Sequence, residues 1–263
     1  MIKKRSLESI SLSILNSDAP EEEKVKIMKA ILGRGKEKIN VMIIGSKGCG
    51  KSSTVNALFN IEKAKVGVDS SLKYIEKYKL DNLIIWDCPG FVYGEETENI
   101  QKKHIANKLK ERDKKGNLLI DLVLVILDGS AHDFETTYEI INEIVIPNFG
   151  DNRDRILVAV NKVDMVMNGR YWNNKKNKPK DKLLKFLNEK SALVQKEIKE
   201  VTGLDVEPIY YNTGYTKDGR KKHEPYNISK LLYCLSEFLL KKIRNASVKG
   251  GIENNLIIWW WGC

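Results

Sequence analysis

The chain has 263 residues, of which 42% are hydrophobic, and its formal net charge is +10. This length suits one sizeable α/β domain with short appendages, and no apolar run approaches the roughly 18 residues that a membrane span requires. Ser and Glu interrupt the apolar positions of Met1–Leu15, which excludes a secretory signal and makes the cytoplasm the expected location. The basic charge favours RNA, a ribosome or anionic lipid as a partner, although solvated surface charge would also explain it.

A helical segment is predicted before the first strand. Asp18 is placed as an N-cap, and Pro20 lies in the first helical turn. Val25, Met28 and Leu32 recur at helical spacing and form one apolar stripe. We therefore predict a helical N-terminal extension over residues 1–36.

Strands and helices alternate through the rest of the chain. The predicted strands cover residues 39–45, 74–80, 83–87, 121–128, 155–162 and 205–212, and the predicted helices cover residues 51–59, 95–112, 135–146, 182–201 and 227–243. Only Asp81 and Asn82 separate the second strand from the third, which predicts an antiparallel hairpin. The pattern predicts an α/β domain over residues 37–245, with a mostly parallel sheet, one antiparallel strand and helices on both faces, followed by a tail over residues 246–263.

The segment GSKGCGKSS between the first strand and the next helix has the pattern G-x-x-x-x-G-K-[ST] of a phosphate-binding loop. Its glycines let the backbone approach phosphate oxygens closely, and the helix that follows presents free N–H groups to the anion. Lys51 is predicted to reach the β- and γ-phosphates, and Ser52 to bind Mg²⁺. The predicted nucleotide contacts of this segment are Gly45, Ser46, Lys47, Gly48, Cys49, Gly50, Lys51, Ser52 and Ser53.

A D-x-x-G motif follows the third strand. Asp87 ends this apolar strand, where a carboxylate that organises magnesium is expected. Gly90 is predicted to place its backbone N–H against a γ-phosphate. Lys51 and Gly90 are therefore the predicted catalytic residues, and Ser52 and Asp87 are predicted metal ligands.

The segment NKVD, residues 161–164, indicates that the base is guanine. The Asp164 carboxylate can accept hydrogen bonds from both N1–H and N2–H of guanine, whereas adenine has neither group. Asn161 is predicted to bond on the N7 side and to tie its loop to the phosphate-binding loop, and the stem of Lys162 is predicted to cover the base. GTP or GDP with Mg²⁺ is thus the predicted cofactor.

The order and spacing of these motifs resemble the P-loop GTPases of the translation-factor class. Within that class the chain resembles the Era-like (TrmE-Era-EngA type) superfamily, and most closely its YfjP/YeeP-type branch, often carried on prophages and other mobile elements. WDCPGF, DLVLVILDGS, NKVDMVMNGRYW and VEPIYYNTGY carry the resemblance beyond the phosphate-binding loop. The resemblance implies a GTPase domain in which Asn212, Thr213 and Gly214 form the last guanine-contacting loop.

The chain departs from the pattern of related GTPases in three loops. Phe91 follows Gly90, where Ras-like enzymes place a Gln that orients water, and the resemblance implies that many Era-like enzymes share this substitution. Some of them hold potassium with an Asn in the phosphate-binding loop, where this chain has Gly48. The predicted switch I segment, residues 61–73, contains no Thr, so Ser70 or Ser71 is the alternative hydroxyl, and Ser71 is the predicted third metal ligand. We therefore predict slow hydrolysis that is insensitive to potassium.

The four cysteines, Cys49, Cys88, Cys234 and Cys263, show neither CxxC spacing nor His companions. Neither a zinc site nor a disulfide framework is indicated, and free thiols are expected. Cys49 and Cys88 fall in the two phosphate-facing loops, where inert thiols are preferred over a redox switch.

Two functions are compatible with the sequence. In the first, the protein is a molecular switch that hydrolyses GTP slowly and acts on RNA, a ribosome or another macromolecule. In the second, it is a non-hydrolysing GTP-binding scaffold or GTP-dependent homodimer, in a mobile-element or phage-defence context. Lys51, Ser52 and Asp87 favour the first, whereas Phe91 and the missing Thr favour the second.

Three segments are candidate partner surfaces. They are residues 169–182 in the polar insertion, the basic loop at residues 217–225, and the Trp-rich end at residues 255–263. The Trp-rich end is too short to span a bilayer, and its three Trp could dock on the domain, insert at a membrane interface or form a dimer contact. Basic loops of this kind are more often only solvated, so the composition of these segments does not by itself identify a partner.

Overall fold

A computed structural model describes residues 7–33, 38–59, 75–80, 82–91, 98–131, 134–150, 153–216 and 220–249. The chain divides into two units, one formed by residues 39–228 and the other by residues 1–38 with residues 229–263. Within the described ranges, no helix combines the length and the apolar character needed to cross a membrane.

The larger unit is built on a six-stranded sheet. The strands of this unit are β1 (Ile39–Ile44), β2 (Glu76–Leu80), β3 (Leu83–Asp87), β4 (Leu122–Asp128), β5 (Ile156–Asn161), β6 (Trp172–Asn173), β7 (Lys178–Pro179) and β8 (Ile209–Tyr210). The order in the sheet is β2-β3-β1-β4-β5-β8, while β6 and β7 form a separate small hairpin. All neighbours in the sheet pair in parallel except β2 and β3, so the predicted sheet with one antiparallel strand is confirmed.

Eight α-helices complete the described chain. They are α1 (Leu7–Leu15), α2 (Glu21–Gly33), α3 (Lys51–Phe59), α4 (Glu98–Lys110), α5 (Glu135–Ile140), α6 (Ile146–Phe149), α7 (Asp181–Thr202) and α8 (Ile228–Lys249). Every residue of β4 from Leu122 to Leu127 is buried, as expected of a central strand that is covered on both faces. The main core joins this strand and β1 to Ile105 and Leu109 of α4. This packing fixes the carboxyl ends of the parallel strands, where the motif loops begin.

The helix predicted over residues 135–146 is interrupted. A π-helical turn, Ile141–Val145, separates α5 from α6, and the backbone N–H of Ile146 donates to the carbonyl of Ile141. Pro147 follows in the first turn of α6 and has no N–H to donate. The π-helical hydrogen bond spans five residues instead of four, and it connects α5 to α6 just before the proline.

The insertion at residues 165–181 is more ordered than its polar composition suggests. It contains part of a 3₁₀ segment, Val163–Gly169, and the β6–β7 hairpin. Trp172 is buried at 5% exposure and packs in a second small core with Val166 and Leu187. Its ring also meets that of Tyr226 edge to face, with centroids 5.2 Å apart. Tertiary packing therefore organises the insertion.

The smaller unit contains α1, α2 and α8. Met28 and Leu32 of the predicted apolar stripe are buried together with Ile31, whereas Val25 is half-buried. The Glu21 carboxylate accepts hydrogen bonds from the backbone N–H of Ser229 at 2.7 Å and from its hydroxyl at 2.9 Å. An acidic group at a helix N-terminus stabilises the free N–H groups there, so this contact supports the start of α8. The Trp-rich end of the sequence lies outside the described residues.

Candidate functional site

The loop between β1 and α3 has room only for glycine at two positions. Gly45 and Gly50 have φ values of 154° and 100°. A Cβ atom on Gly45 would lie 2.3 Å from the carbonyl oxygen of Ile126, and one on Gly50 would lie 2.1 Å from Nδ2 of Asn161. The glycines of the motif therefore allow the loop to lie directly against β4 and β5.

Lys51 begins α3 and points back across this loop. Its side chain is buried, and Nζ donates to the carbonyl oxygens of Gly45 and Ser46, each at 3.0 Å. An ammonium group has three donors, so one remains available for a phosphate oxygen. The backbone contacts hold the positive charge inside the curve of the loop.

Ser52 and Asp87 come together at the same place. The Ser52 hydroxyl donates to Oδ2 of Asp87 at 2.8 Å, which joins the first turn of α3 to the last residue of β3. Asp87 is fully buried, and its other oxygen, Oδ1, has no hydrogen-bond partner among the described residues. Burial raises the pKa of Asp87 to about 6, although Lys51 and Ser52 act in the opposite direction.

This pair fits a magnesium ion. An unpartnered buried carboxylate oxygen is costly, and Mg²⁺ prefers carboxylate, hydroxyl and phosphate oxygens. Ser52 and Asp87 supply a hydroxyl and a carboxylate on adjacent elements, with one carboxylate oxygen free. Ser71, the third predicted ligand, and its alternative Ser70 lie outside the described residues.

The D-x-x-G loop runs alongside the phosphate-binding loop. The backbone N–H of Lys47 donates to the carbonyl of Phe91 at 2.9 Å. A Cβ atom on Gly90 would lie 2.6 Å from Cα of Lys47 and 3.0 Å from Nζ of Lys51, so Gly90 permits this close approach. The Phe91 side chain is only 3% exposed and packs in the main core beside Cys88. Phe91 therefore contributes to the folded core at the position that follows Gly90.

The NKVD segment joins the phosphate-binding loop through Asn161. Its Nδ2 donates to the carbonyl of Cys49 at 3.0 Å, which is the contact expected from the sequence. An amide nitrogen has a second hydrogen, which is available to N7 of a base. Lys162 adopts a left-handed backbone with φ of 60°, and its Nζ lies 2.5 Å from Oδ2 of Asp128.

Asp128 was not predicted as a site residue. It ends β4 directly beside Asn161 in the strand register, and its Oδ1 also accepts hydrogen bonds from the N–H and hydroxyl of Ser130. The available signal was an Asp at the end of an apolar strand, the same signal that identified Asp87. Asp128 holds the Lys162 ammonium group, and so fixes the stem that is predicted to cover the base.

Asp164 lies half-buried beside the loop at residues 220–224. Burial raises its pKa, while the nearby His223, Lys222 and Lys162 lower it. The backbone N–H of Lys222 donates to the carbonyl of Gly214 at 2.8 Å, which places this loop against the predicted last guanine-contacting segment. Asp164 and that segment therefore share neighbours.

The segment Asn212–Gly214 is itself well ordered. All three residues are buried, and the N–H of Gly214 donates to Oδ1 of Asn212 at 3.0 Å. The preceding residue, Tyr211, is fully buried with its hydroxyl 2.6 Å from that of Thr54, which donates to the carbonyl of Gly50 at 2.7 Å. This chain of hydrogen bonds links the segment to the phosphate-binding loop.

The predicted residues therefore meet at the carboxyl ends of β1, β3, β5 and β8. The predicted phosphate side comprises Gly45, Ser46, Lys47, Gly48, Cys49, Gly50, Lys51, Ser52, Ser53, Asp87 and Gly90, and the predicted base side comprises Asn161, Lys162, Asp164, Asn212, Thr213 and Gly214. Cys49 and Cys88 are buried, and burial raises the pKa of both thiols. Lys47 and Gly48 are exposed on the phosphate side.

Comparison with known proteins gives a family match and several similar folds. The family model described as 50S ribosome-binding GTPase matches residues 40–162. A dimerization-deficient mutant of Toc33 from Arabidopsis thaliana aligns with a TM-score of 0.59 at 16% identity, over 86% of this chain and 95% of that chain. Toc33 in complex with GDP and Mg²⁺ also gives 0.59 at 16% identity, over 87% and 95%.

Era in complex with MgGDPNP and a segment of 16S ribosomal RNA aligns with a TM-score of 0.49 at 16% identity, over 77% of this chain and 57% of that chain. No curated protein matched the sequence. The sheet order and the Toc33 alignments show that the chain has the α/β fold of a P-loop GTPase domain, and the family model matches residues 40–162 of that fold.

Proposed function

We propose that this protein binds GTP with Mg²⁺ and hydrolyses it slowly to GDP and phosphate, acting as a molecular switch. The observation that carries the proposal is the cluster of Lys51, Ser52 and Asp87 in the curve of the phosphate-binding loop, with Oδ1 of Asp87 left unpartnered. Ser52 and Asp87 would hold the metal ion, which supplies electrophilic stabilisation of phosphate oxygens when bound. Lys51 would neutralise charge on the β- and γ-phosphates.

The location of each remaining site residue suggests which part of the nucleotide it contacts. The backbone of Gly45–Ser53 would surround the phosphates, and the N–H of Gly90 would meet the γ-phosphate. Asn161 and Lys162 would contact the base, and Asp164 would select guanine. The Asn212–Gly214 segment would approach guanine O6 through the N–H of Thr213.

Nucleotide binding is tested by calorimetry with GTP, GDP and ATP, each with Mg²⁺ and with EDTA. GTP and GDP are expected to bind and ATP to bind far more weakly, since adenine cannot donate two hydrogen bonds to Asp164. Lys51→Ala is expected to abolish GTP binding. Equal affinity for ATP and GTP, or unchanged GTP affinity in the variant, would contradict the site assignment.

A second function is favoured by one observation, the burial of Phe91 in the core at 3% exposure. With no polar side chain there to orient water, the domain could bind GTP without turnover and serve as a scaffold or GTP-dependent homodimer in a mobile-element or phage-defence setting. In the chloroplast translocon components Toc33 and Toc159, dimerization is important for the GTPase activity. Phosphate release and molar mass, measured together with GTP and with a non-hydrolysable analogue, distinguish the two functions.

We also propose a finer classification for the chain. The motifs support membership of the Era-like superfamily and its YfjP/YeeP-type branch, with a helical extension over residues 1–36, a GTPase domain over residues 37–245 and a tail over residues 246–263. A cytoplasmic location and an RNA, ribosomal or protein effector complete this proposal. Affinity capture with GTP-bound and GDP-bound protein tests the effector, since a switch should enrich it in one state only.

A further inference from the structure

Two basic segments that are far apart in sequence lie side by side in the larger unit. They are residues 170–182, in the insertion, and residues 220–224, in the loop after β8, and together we name them the basic face. Nδ2 of Asn177 donates to the carbonyl of Glu224 at 2.6 Å, and the Trp172 ring packs on that of Tyr226. These contacts hold the two segments against each other.

The basic face carries a large excess of positive charge. Its two segments contain nine Lys and Arg residues against two acidic residues, Asp181 and Glu224. All nine cationic side chains are exposed. Lys221 lies 2.7 Å from Glu224 in an ion pair, but two carboxylates cannot neutralise nine cations. A dense, exposed positive surface of this kind attracts a polyanion.

From this arrangement we infer that the basic face binds the phosphodiester backbone of a nucleic acid. Arg and Lys side chains that project from two neighbouring segments can contact successive phosphates along one strand or across a groove. The exposed amide of Asn174 adds a donor for phosphate or sugar oxygens. The basic face carries this charge whether or not a guanine nucleotide is bound.

A lipid surface fits the basic face less well, because membrane-surface elements insert apolar side chains among the headgroups. Here the aromatic residues are engaged within the protein. Trp172 is buried in the second core, and the Tyr171 ring lies beneath Nζ of Lys182, 4.7 Å from the ring centroid. The face therefore presents charges and amides without an aromatic anchor, which favours nucleic acid.

The test measures binding of the full chain to a fluorescein-labelled RNA hairpin with single-stranded ends, and to DNA of matched sequence, across a range of salt concentrations. The combined variants are Lys175→Gln/Lys176→Gln/Lys178→Gln in the hairpin and Arg220→Gln/Lys221→Gln in the loop. Each set is expected to weaken binding about tenfold or more. The salt slope should also fall by about 1 for every phosphate-binding cation that is removed.

The matched control is Lys103→Gln/Lys114→Gln/Lys115→Gln. These lysines are exposed on α4 and in the turn that precedes β4, away from the carboxyl ends of β5 and β8. The control removes the same charge as the hairpin set and is expected to leave affinity within about twofold. The measured affinities for RNA and for DNA show which nucleic acid is preferred.

Three results would overturn the inference. They are equal weakening by the control set, no measurable binding of either nucleic acid, and capture by phosphatidylglycerol vesicles without binding to RNA or DNA. Asp164→Asn is expected to retain RNA binding. A loss of GTP binding in this variant would concern only the proposed function, because the charges of the basic face are unchanged. Circular dichroism confirms that each variant is folded.

Discussion

At the scale of the residue, the proposed chemistry depends most on Asp164 and Phe91. Asp164 is half-buried and surrounded by cationic neighbours, so its charge state is sensitive to its environment. Phe91 is packed in the core directly after Gly90, the predicted catalytic glycine. Each of these two side chains supports a prediction.

We expect GTP affinity to fall as the pH falls through the pKa of Asp164. The ionised carboxylate accepts two hydrogen bonds from guanine, whereas the neutral acid places an O–H against one of the donors. Because burial raises this pKa, the loss should begin at a higher pH than for a free aspartate. Calorimetry across pH checks this. Asp164→Asn should bind GTP at least about tenfold more weakly and without this pH dependence, and an unchanged pH profile would contradict the assignment.

Phe91→Gln is expected to destabilise the protein without accelerating hydrolysis. The side chain fills a core site at 3% exposure, so the substitution removes apolar contacts and buries an amide. The free energy of unfolding should fall by about 3 kcal/mol. Denaturant unfolding and phosphate release test this, with Phe91→Leu as the control that keeps an apolar side chain. Faster hydrolysis in the Gln variant would show that position 91 reaches the nucleotide.

At the scale of the element, the site depends on contacts between loops from different strands. Asn161, after β5, donates to Cys49, after β1. Asp128, after β4, holds Lys162. Parallel strands bring these loops to one edge of the sheet, but the close approach depends on the glycines between them.

Gly50→Ala is expected to separate the base and phosphate sides of the site. A Cβ atom at position 50 would lie 2.1 Å from Nδ2 of Asn161, at a φ of 100°. GTP affinity should fall at least about tenfold, a loss of about 1.4 kcal/mol. Gly116→Ala is the matched control, since its φ is 80° and no atom lies within 4 Å of the added carbon. If both variants kept full affinity, the contact with Asn161 would be unnecessary for binding.

At the scale of the whole molecule, the larger unit contains every predicted nucleotide contact that the structure describes, between Gly45 and Gly214. A ligand that binds the folded state stabilises it through mass action. The surface charge is also a property of the whole molecule, since the basic face forms only when two distant segments meet.

GTP with Mg²⁺ is expected to raise the midpoint of thermal unfolding. At a concentration of about 100 times the dissociation constant the gain is about 2.7 kcal/mol. ATP at the same concentration should give a much smaller shift, and EDTA should reduce the GTP effect. Differential scanning calorimetry measures the midpoint, and equal shifts with ATP and GTP would contradict guanine selection.

The sequence by itself determined the sheet class, the hairpin of β2 and β3 and the identity of the motif loops. These features are encoded locally: two residues leave no length for a crossover, and a phosphate-binding loop needs glycine, lysine and a hydroxyl at fixed spacing. Only the tertiary structure revealed the Asp128–Lys162 pair, the burial of Trp172 and the basic face, because each depends on residues brought together across the fold. Sequence spacing does not predict these contacts, because the packing of the folded chain determines which distant residues come together.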